Sequence, residues 1–293
     1  VSLSPHAHGA DTVERNMYGV IIALIPALLV SFYFFGLGSV IVTATSVAAC
    51  VLLEWVINKF ILKNPRNSVL DGSAVLTGLL LAFNLPSNLP IWIIIIGAIF
   101  AIGFAKMPFG GLGNNLFNPA LVGRAALLVA FPAQMTTWPT PQGFHGAYVD
   151  AETGATPLYF LKNIVKGDAS AIDQLPSLWD SFLGVMGGSL GEVSALALIL
   201  GGLFLICTRV ITWHIPVTIL ATVACFAACT GWAGALPEGM TTGSYVLYSL
   251  LSGGLLLGAF FMATDYVTSP MTAWGKIIFG IGIGFIVMVI RTW

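Results

Sequence analysis

The chain has 293 residues, of which 57% are hydrophobic and only 8% charged, with a mean hydropathy of +0.94. A soluble domain carries about 25% charged residues, so this chain cannot cover a water-soluble globule and its outer surface must face lipid. The formal net charge of −1 gives no basis for a nucleic-acid partner or an acidic one.

The N-terminal stretch, which begins at Val1, is polar to residue 16 and carries His6, His8 and Arg15, so it does not read as a signal peptide. A membrane span needs about 20 mostly apolar residues. On that measure nine spans are predicted, near 17–35, 38–61, 71–85, 90–106, 113–131, 189–207, 212–230, 245–263 and 275–291. The third is short and bracketed by Asp71-Gly72 and Pro86; the eighth is interrupted by Ser252-Gly253-Gly254. These two are candidates for broken or re-entrant helices, which are tolerated only inside protein. Leu76-Thr77-Gly78-Leu79-Leu80-Leu81 is similar to Leu251-Ser252-Gly253-Gly254-Leu255-Leu256-Leu257. Matching interrupted segments in two halves suggest a repeat with a site at its interface. The predicted fold is therefore an all-α polytopic membrane protein of about ten transmembrane helices in two inverted repeats. Residues 1–131 form the first repeat, 132–188 a hydrophilic loop and 189–293 a second repeat in which a tenth span is not found. Cys50, Cys207, Cys225 and Cys229 all lie in apolar stretches and read as small apolar helix residues.

Basic residues set the orientation. Lys59, Lys63, Arg66, Lys106, Arg209 and Lys276 all fall on the cytoplasmic side if the N-terminus is cytoplasmic; Arg291 is the exception. The turn 84–90 and the loop 132–188 then lie outside. That loop holds Lys162 and Lys166 against Asp150, Glu152, Asp168, Asp173 and Asp180.

Within the loop stands Asp150-Ala151-Glu152-Thr153-Gly154-Ala155-Thr156-Pro157. Thr156-Pro157 alone reads as a helix start, because Thr is a good N-cap and Pro suits the first helical position. That reading leaves Gly154, Ala155 and the upstream Asp150 unexplained. The pattern resembles the acceptor motif for covalent flavin attachment, Asp-x-x-(Ser/Thr)-Gly-Ala-(Thr/Ser), and matches it at every specified position. The resemblance implies that a flavin transferase joins FMN to Thr156 by a phosphodiester, with Asp150, Thr153, Gly154 and Ala155 forming the recognised sequence. A phosphate at that point would meet the N–H groups and positive dipole of the following helix.

Further segments extend the resemblance over both halves: Asp71-Gly72-Ser73-Ala74, Gly113-Asn114-Asn115-Leu116-Phe117-Asn118-Pro119-Ala120, Gly191-Glu192-Val193-Ser194-Ala195 and Phe260-Phe261-Met262-Ala263-Thr264-Asp265. The chain is similar to the family that joins the D subunit of the Rnf ferredoxin:NAD⁺ oxidoreductase to the B subunit of the sodium-pumping NADH:quinone oxidoreductase. The resemblance implies ten spans and both termini in the cytoplasm of a bacterial or archaeal inner membrane. It implies a non-covalent riboflavin near Asn115 and Asn118, whose paired amides suit a ring edge bearing both C=O and N–H. The alternative is that the two asparagines cap a helix.

Arg124, deep in the fifth span, is expensive to bury and is a candidate to stabilise a reduced flavin, or to pair with Glu54 or Asp71. Asp71 and Asp265, at the ends of the broken segments, are candidates for an ion path, and Glu54 and Glu192 read as interfacial. No dinucleotide fingerprint opens a strand–helix unit and no cysteine cluster offers an iron–sulfur site. Ferredoxin and NAD would then engage partner subunits (A, B, C, E and G by resemblance), while this chain passes electrons between flavins as Na⁺ or H⁺ is exported. The B-subunit role in the quinone reductase and a non-redox solute channel are the competing readings; only the loop motif separates the channel from the rest.

Overall fold

The computed structural model describes residues 12–63, 71–146, 148, 152–192 and 194–292. In chain order it runs α1 (Val13–Val56), α2 (Ser73–Phe83), α3 (Ile91–Ala98), α4 (Pro119–Ala130), α5 (Pro132–Met135), β1 (Trp138–Pro139), β2 (Thr153–Gly154), α6 (Pro157–Val165), α7 (Leu178–Leu183), α8 (Ala195–Cys207), α9 (His214–Trp232), α10 (Thr242–Leu251), α11 (Leu255–Leu257) and α12 (Ala273–Thr292). Wider π turns continue α1 to Ile61, α3 to Phe104 and α11 to Met262. The protein is an all-α polytopic membrane protein, as its composition requires.

The helical run from Val13 to Ile61 has 49 residues, about 73 Å at ~1.5 Å per residue, against a hydrocarbon layer of about 30 Å. It cannot be one crossing. Gly36 divides it, with φ 57° and ψ −140°, a conformation open to glycine and closed to L side chains. The two spans predicted on either side of residue 36 follow from this one residue. Ile91–Phe109, His214–Trp232 and Ala273–Thr292 are also long and apolar enough to cross, and α10 with the α11 run forms one more candidate, bent by 61° at Ser252–Gly254. The short helices behave differently. α2 has 11 residues and α4 has 12, about 16–18 Å each. Of the two forms its flanks suggested, broken or re-entrant, α2 is not broken internally: it is a continuous half-length helix that stops at Asn84. The fifth predicted span begins at Pro119 rather than at residue 113, because Gly110, Gly111 and Gly113 all adopt positive φ and hold a turn ahead of it.

Two apolar clusters form. The larger joins α1 to α4 and α8 around Phe35, Phe83, Ile93 and Leu127. The smaller joins α6, α9, α10 and α12 around Ile219, Val223 and Met288. Small residues set the close approaches, as they do between helices in lipid: Ser46 donates to the Gly78 carbonyl at 2.7 Å, and Gly284 lies against Thr222. Leu29, Phe104, Leu200, Phe285 and Ile290 project outward with half or more of their surface exposed, a large apolar surface of the kind that faces lipid rather than water. Cys207, Cys225 and Cys229 are free and exposed, and Cys50 is free and buried.

The hydrophilic loop is laced to one end of the bundle. Leu37 N–H donates to the His145 carbonyl, Gln142 N–H to the Phe34 carbonyl, and Tyr148 hydroxyl to the Leu89 carbonyl. Asn16, Lys106, Val210 and Asp265 gather at the opposite end, around a shared cavity.

Candidate functional site

The loop motif lies between a strand and a helix. β2 pairs antiparallel with β1, Trp138 opposite Gly154 and Pro139 opposite Thr153. Thr140 N–H donates to the Glu152 carbonyl at 2.8 Å, and Gln142 Nε2 to the Glu152 carboxylate at 2.8 Å. A Cβ on Gly154 would come within 2.8 Å of Thr140 Cγ2, so glycine permits this register. Asp150 and Ala151 lie outside the described residues.

Thr156 occupies the N-cap position of α6, with φ −81° and ψ 156°. Its backbone is a cap, yet its hydroxyl makes no capping hydrogen bond. The capping explanation thus covers the backbone and Pro157 and leaves the hydroxyl uncommitted. Thr153, Gly154 and Ala155 are exposed and Thr156 half-buried. Leu158, close by on α6, packs by Gly253 and the Arg291 guanidinium at the bend between α10 and α11.

At the other end, the cavity is lined by Asn115, Asn118, Asp265, Thr77, Ser73 and Lys106, with apolar walls from Leu76, Phe260 and Phe261. Its enclosed room is about 100 Å³, and about 780 Å³ counting its open mouth. Asn115 and Asn118 are both nearly buried, at 7% and 8% exposure. Asn118 Oδ1 accepts from Ala120 and Leu121 N–H, capping α4, so its carbonyl is committed. Asn115 Nδ2 donates to the Phe117 carbonyl at 3.1 Å, and its side chain also bonds Asp265. Burial pushes the Asp265 carboxyl up from its ordinary value, opposed by hydrogen bonds from Val267 N–H, Asn115 and Thr268. The two asparagines and Asp265 are thus brought together; Asp71 is not on this wall. It accepts from Ser73 N–H at 2.8 Å and from the Ser73 hydroxyl, beginning α2.

Lys106 corrects two expectations. It is not a loop charge at the cytoplasmic edge but 2% exposed, with Nζ 2.6 Å from Glu54 Oε2 and 2.6 Å from Ser73 Oγ. Glu54, read as interfacial and near Lys59 and Lys63, is 1% exposed. Lys59 turns outward over the Trp55 ring instead. Arg124 therefore pairs with neither Glu54 nor Asp71: its Nη1 donates to Asn84 Oδ1 at 2.8 Å, at the C-terminal end of α2. Arg291, set aside as the exception to the charge rule, donates to the Ser249 and Ser252 carbonyls at 2.6 and 2.9 Å. Both arginines line a second cleft between α4, α9 and α12, of about 1620 Å³ counting its open mouth, which shares Asn118 with the cavity. Glu192, also read as interfacial, lies against Gly188 and Gly254, and Gly191 N–H donates to the Phe83 carbonyl at 2.8 Å. The C-terminal end of α2 and the N-terminal end of α11 thus meet at Gly191–Glu192.

The family model described as NQR2, RnfD, RnfE matches residues 1–293. The chain belongs to this family. Among its relatives, the D subunit of the Na⁺-translocating ferredoxin:NAD⁺ oxidoreductase complex of Acetobacterium woodii is 46% identical, over 99% of this chain and 84% of that protein. The D subunit of the proton-translocating ferredoxin:NAD⁺ oxidoreductase complex of Clostridium ljungdahlii is 42% identical, over 99% and 86%. The D subunit of an ion-translocating oxidoreductase complex of Stutzerimonas stutzeri is 42% identical, over 97% and 84%. Within the family, then, near-equal identity reaches one relative named for Na⁺ and one named for H⁺, so overall identity does not assign an ion to this chain. Lys106, Asn84 and Arg291 were the residues that sequence reasoning missed as site-formers; the only signal was charge or amide inside an apolar stretch.

Proposed function

We propose that this chain is the membrane flavoprotein subunit of an ion-translocating ferredoxin:NAD⁺ oxidoreductase complex, carrying FMN on Thr156 and a non-covalent riboflavin at Asn115 and Asn118. The observation that carries the reading is the hydroxyl of Thr156: it sits at a helix N-terminus, inside a complete acceptor motif, with no capping hydrogen bond of its own. Relatives named as the D subunit of such complexes support the assembly.

The residues present fit both groups. For the phosphate of FMN, α6 offers first-turn N–H groups and the positive end of its dipole; Gly154 and Ala155 leave the approach open. For a flavin ring, the cavity offers the Asn118 amide hydrogens, the Asn115 amide and the Asp265 carboxyl between apolar walls, with its open mouth completing the needed room. Bound flavins would supply one- and two-electron transfer. The chain's own contribution is to hold the two sites at opposite ends of the bundle. Asp71 and Asp265 remain the proposed carriers of the exported Na⁺ or H⁺, and ferredoxin, NAD and a flavin transferase act through other chains. The loop faces away from the cytoplasm in this reading, and the N-terminus faces it.

The test is denaturing-gel fluorescence with released-flavin analysis, on protein made with its transferase. Wild type should give a fluorescent band in SDS and release riboflavin. Thr156→Val should lose the band and still release riboflavin; Asn118→Ala should keep the band and release less. An unlabelled wild-type band would sink the covalent claim.

A further inference from the structure

The cavity wall includes Lys106 and Ser73 but, among the described residues, neither Glu54 nor Asp71. The buried Lys106–Glu54 pair is therefore a dipole with a direction: its cation lines the cavity and its carboxylate sits behind, on α1. Ser73 reinforces that direction. Its oxygen accepts from Lys106 Nζ while its hydroxyl donates onward to Asp71, so the second carboxylate is reached through Ser73 and does not line the cavity either. Two of the three ammonium donors are committed to Glu54 and Ser73, which fix the charge in place without neutralising it at the wall. The only acid on the same wall among the described residues is Asp265, whose burial favours its neutral form. Replacing a buried ion pair by apolar residues is often neutral or stabilising, so stability alone does not explain why this wall carries a charge.

We infer that Lys106 is an electrostatic positioning residue, held by Glu54 and Ser73 so that an electron added to a flavin ring at Asn115 and Asn118 is favoured over the oxidised ring. This rests on the flavin reading above. The event it favours is one electron arriving from a one-electron donor in a neighbouring chain of the complex; no bond forms or breaks, no proton moves, and Lys106 and Glu54 keep their charges. Charged groups inside a low-dielectric, water-poor site act more strongly than at a surface, and cost no reorganisation when already fixed.

The test is a redox titration of the assembled complex in a Thr156→Val background, which leaves only the releasable flavin on this chain. Lys106→Met with Glu54→Gln removes the pair and should keep the released riboflavin. It should favour the oxidised ring by at least tenfold, a fall of ~59 mV in a one-electron potential. Glu54→Gln alone unscreens the cation and should move the potential the other way; Lys106→Arg should stay near the parent. A structural role would not produce opposite signs. Full riboflavin with an unchanged potential overturns the inference, and so does loss of riboflavin from an assembled double variant, which would make Lys106 a binding residue instead. A Thr156→Val parent that releases no flavin overturns the flavin reading itself, and is distinguished by being seen before Lys106 is touched.

Discussion

At the scale of single residues, burial decides what each charge does. Asp265 is the clearest case for a pH test. Its carboxyl is raised by burial in the folded protein relative to its ordinary value of 3.8. A raised folded value means the neutral form is the favoured one, so the associated stability is complete below the unfolded value and is lost as pH rises through the folded value. Asp265→Asn should then unfold at a higher temperature than the parent at neutral pH, with the gap closing toward about pH 4. An equal gap at both pH values would contradict this account of Asp265. The motif at Thr156 was legible in the sequence because it is contiguous: type and order are written in adjacent letters. Lys106 was not, because its partner lies 52 positions away on another helix. Periodicity reports which face of a helix is apolar; it does not report which distant side chain waits opposite. The same holds for Arg291, whose partners are carbonyls freed by a bend.

At the scale of elements, the short helices create the need that the arginines meet. A helix ending inside a membrane leaves its last carbonyls without partners, and lipid offers none. At the end of α10 those groups are the Ser249 and Ser252 carbonyls, and Arg291 takes both. Arg291→Ala should cost on the order of 2–4 kcal/mol, since hydrogen bonds to charged groups are worth about 1.5–3 kcal/mol each and the carbonyls would be left buried. Arg291→Lys should recover part of it. Denaturant titration in detergent by the fluorescence of Trp274 and its fellows would read the change; wild-type stability in Arg291→Ala would remove this capping role. The sequence marked both segments, by their flanking Asp71-Gly72 and Pro86 and by Ser252-Gly253-Gly254, as candidates for broken or re-entrant helices. It could not say that one is a bend of 61° and the other a plain early stop, because leucine-rich sequence permits both and the choice is made by what packs around Gly253 and Asn84.

For the whole molecule, hydropathy was sufficient for the class. Of the nine predicted spans, those near 71–85, 113–131 and 189–207 fall on helices of only 11, 12 and 13 residues. The charge bias offers a sidedness. One of its supports has gone, since Lys106 is buried in a pair and reports nothing about loops. The rest can be checked by labelling. In a background with the four cysteines replaced, Ser170→Cys in the loop should react with a membrane-impermeant maleimide on intact cells. Lys59→Cys, exposed at the other end, should react only after the membrane is opened. The reverse pattern would invert the topology and place Thr156 in the cytoplasm.

Gly36 has a consequence for how the chain is made. The helix is interrupted there, and the Leu37 N–H and Phe34 carbonyl on its two sides find their partners in His145 and Gln142. Those partners are synthesised about a hundred residues later. A Cβ at position 36 would land on the His145 backbone itself. During biosynthesis the first two spans must therefore wait as a provisional hairpin, with water serving the open backbone groups at the membrane edge. The hairpin closes only when the loop has been made and brought to the same end of the bundle. Insertion of this protein is thus not strictly sequential: its first turn is the last part of that region to be finished.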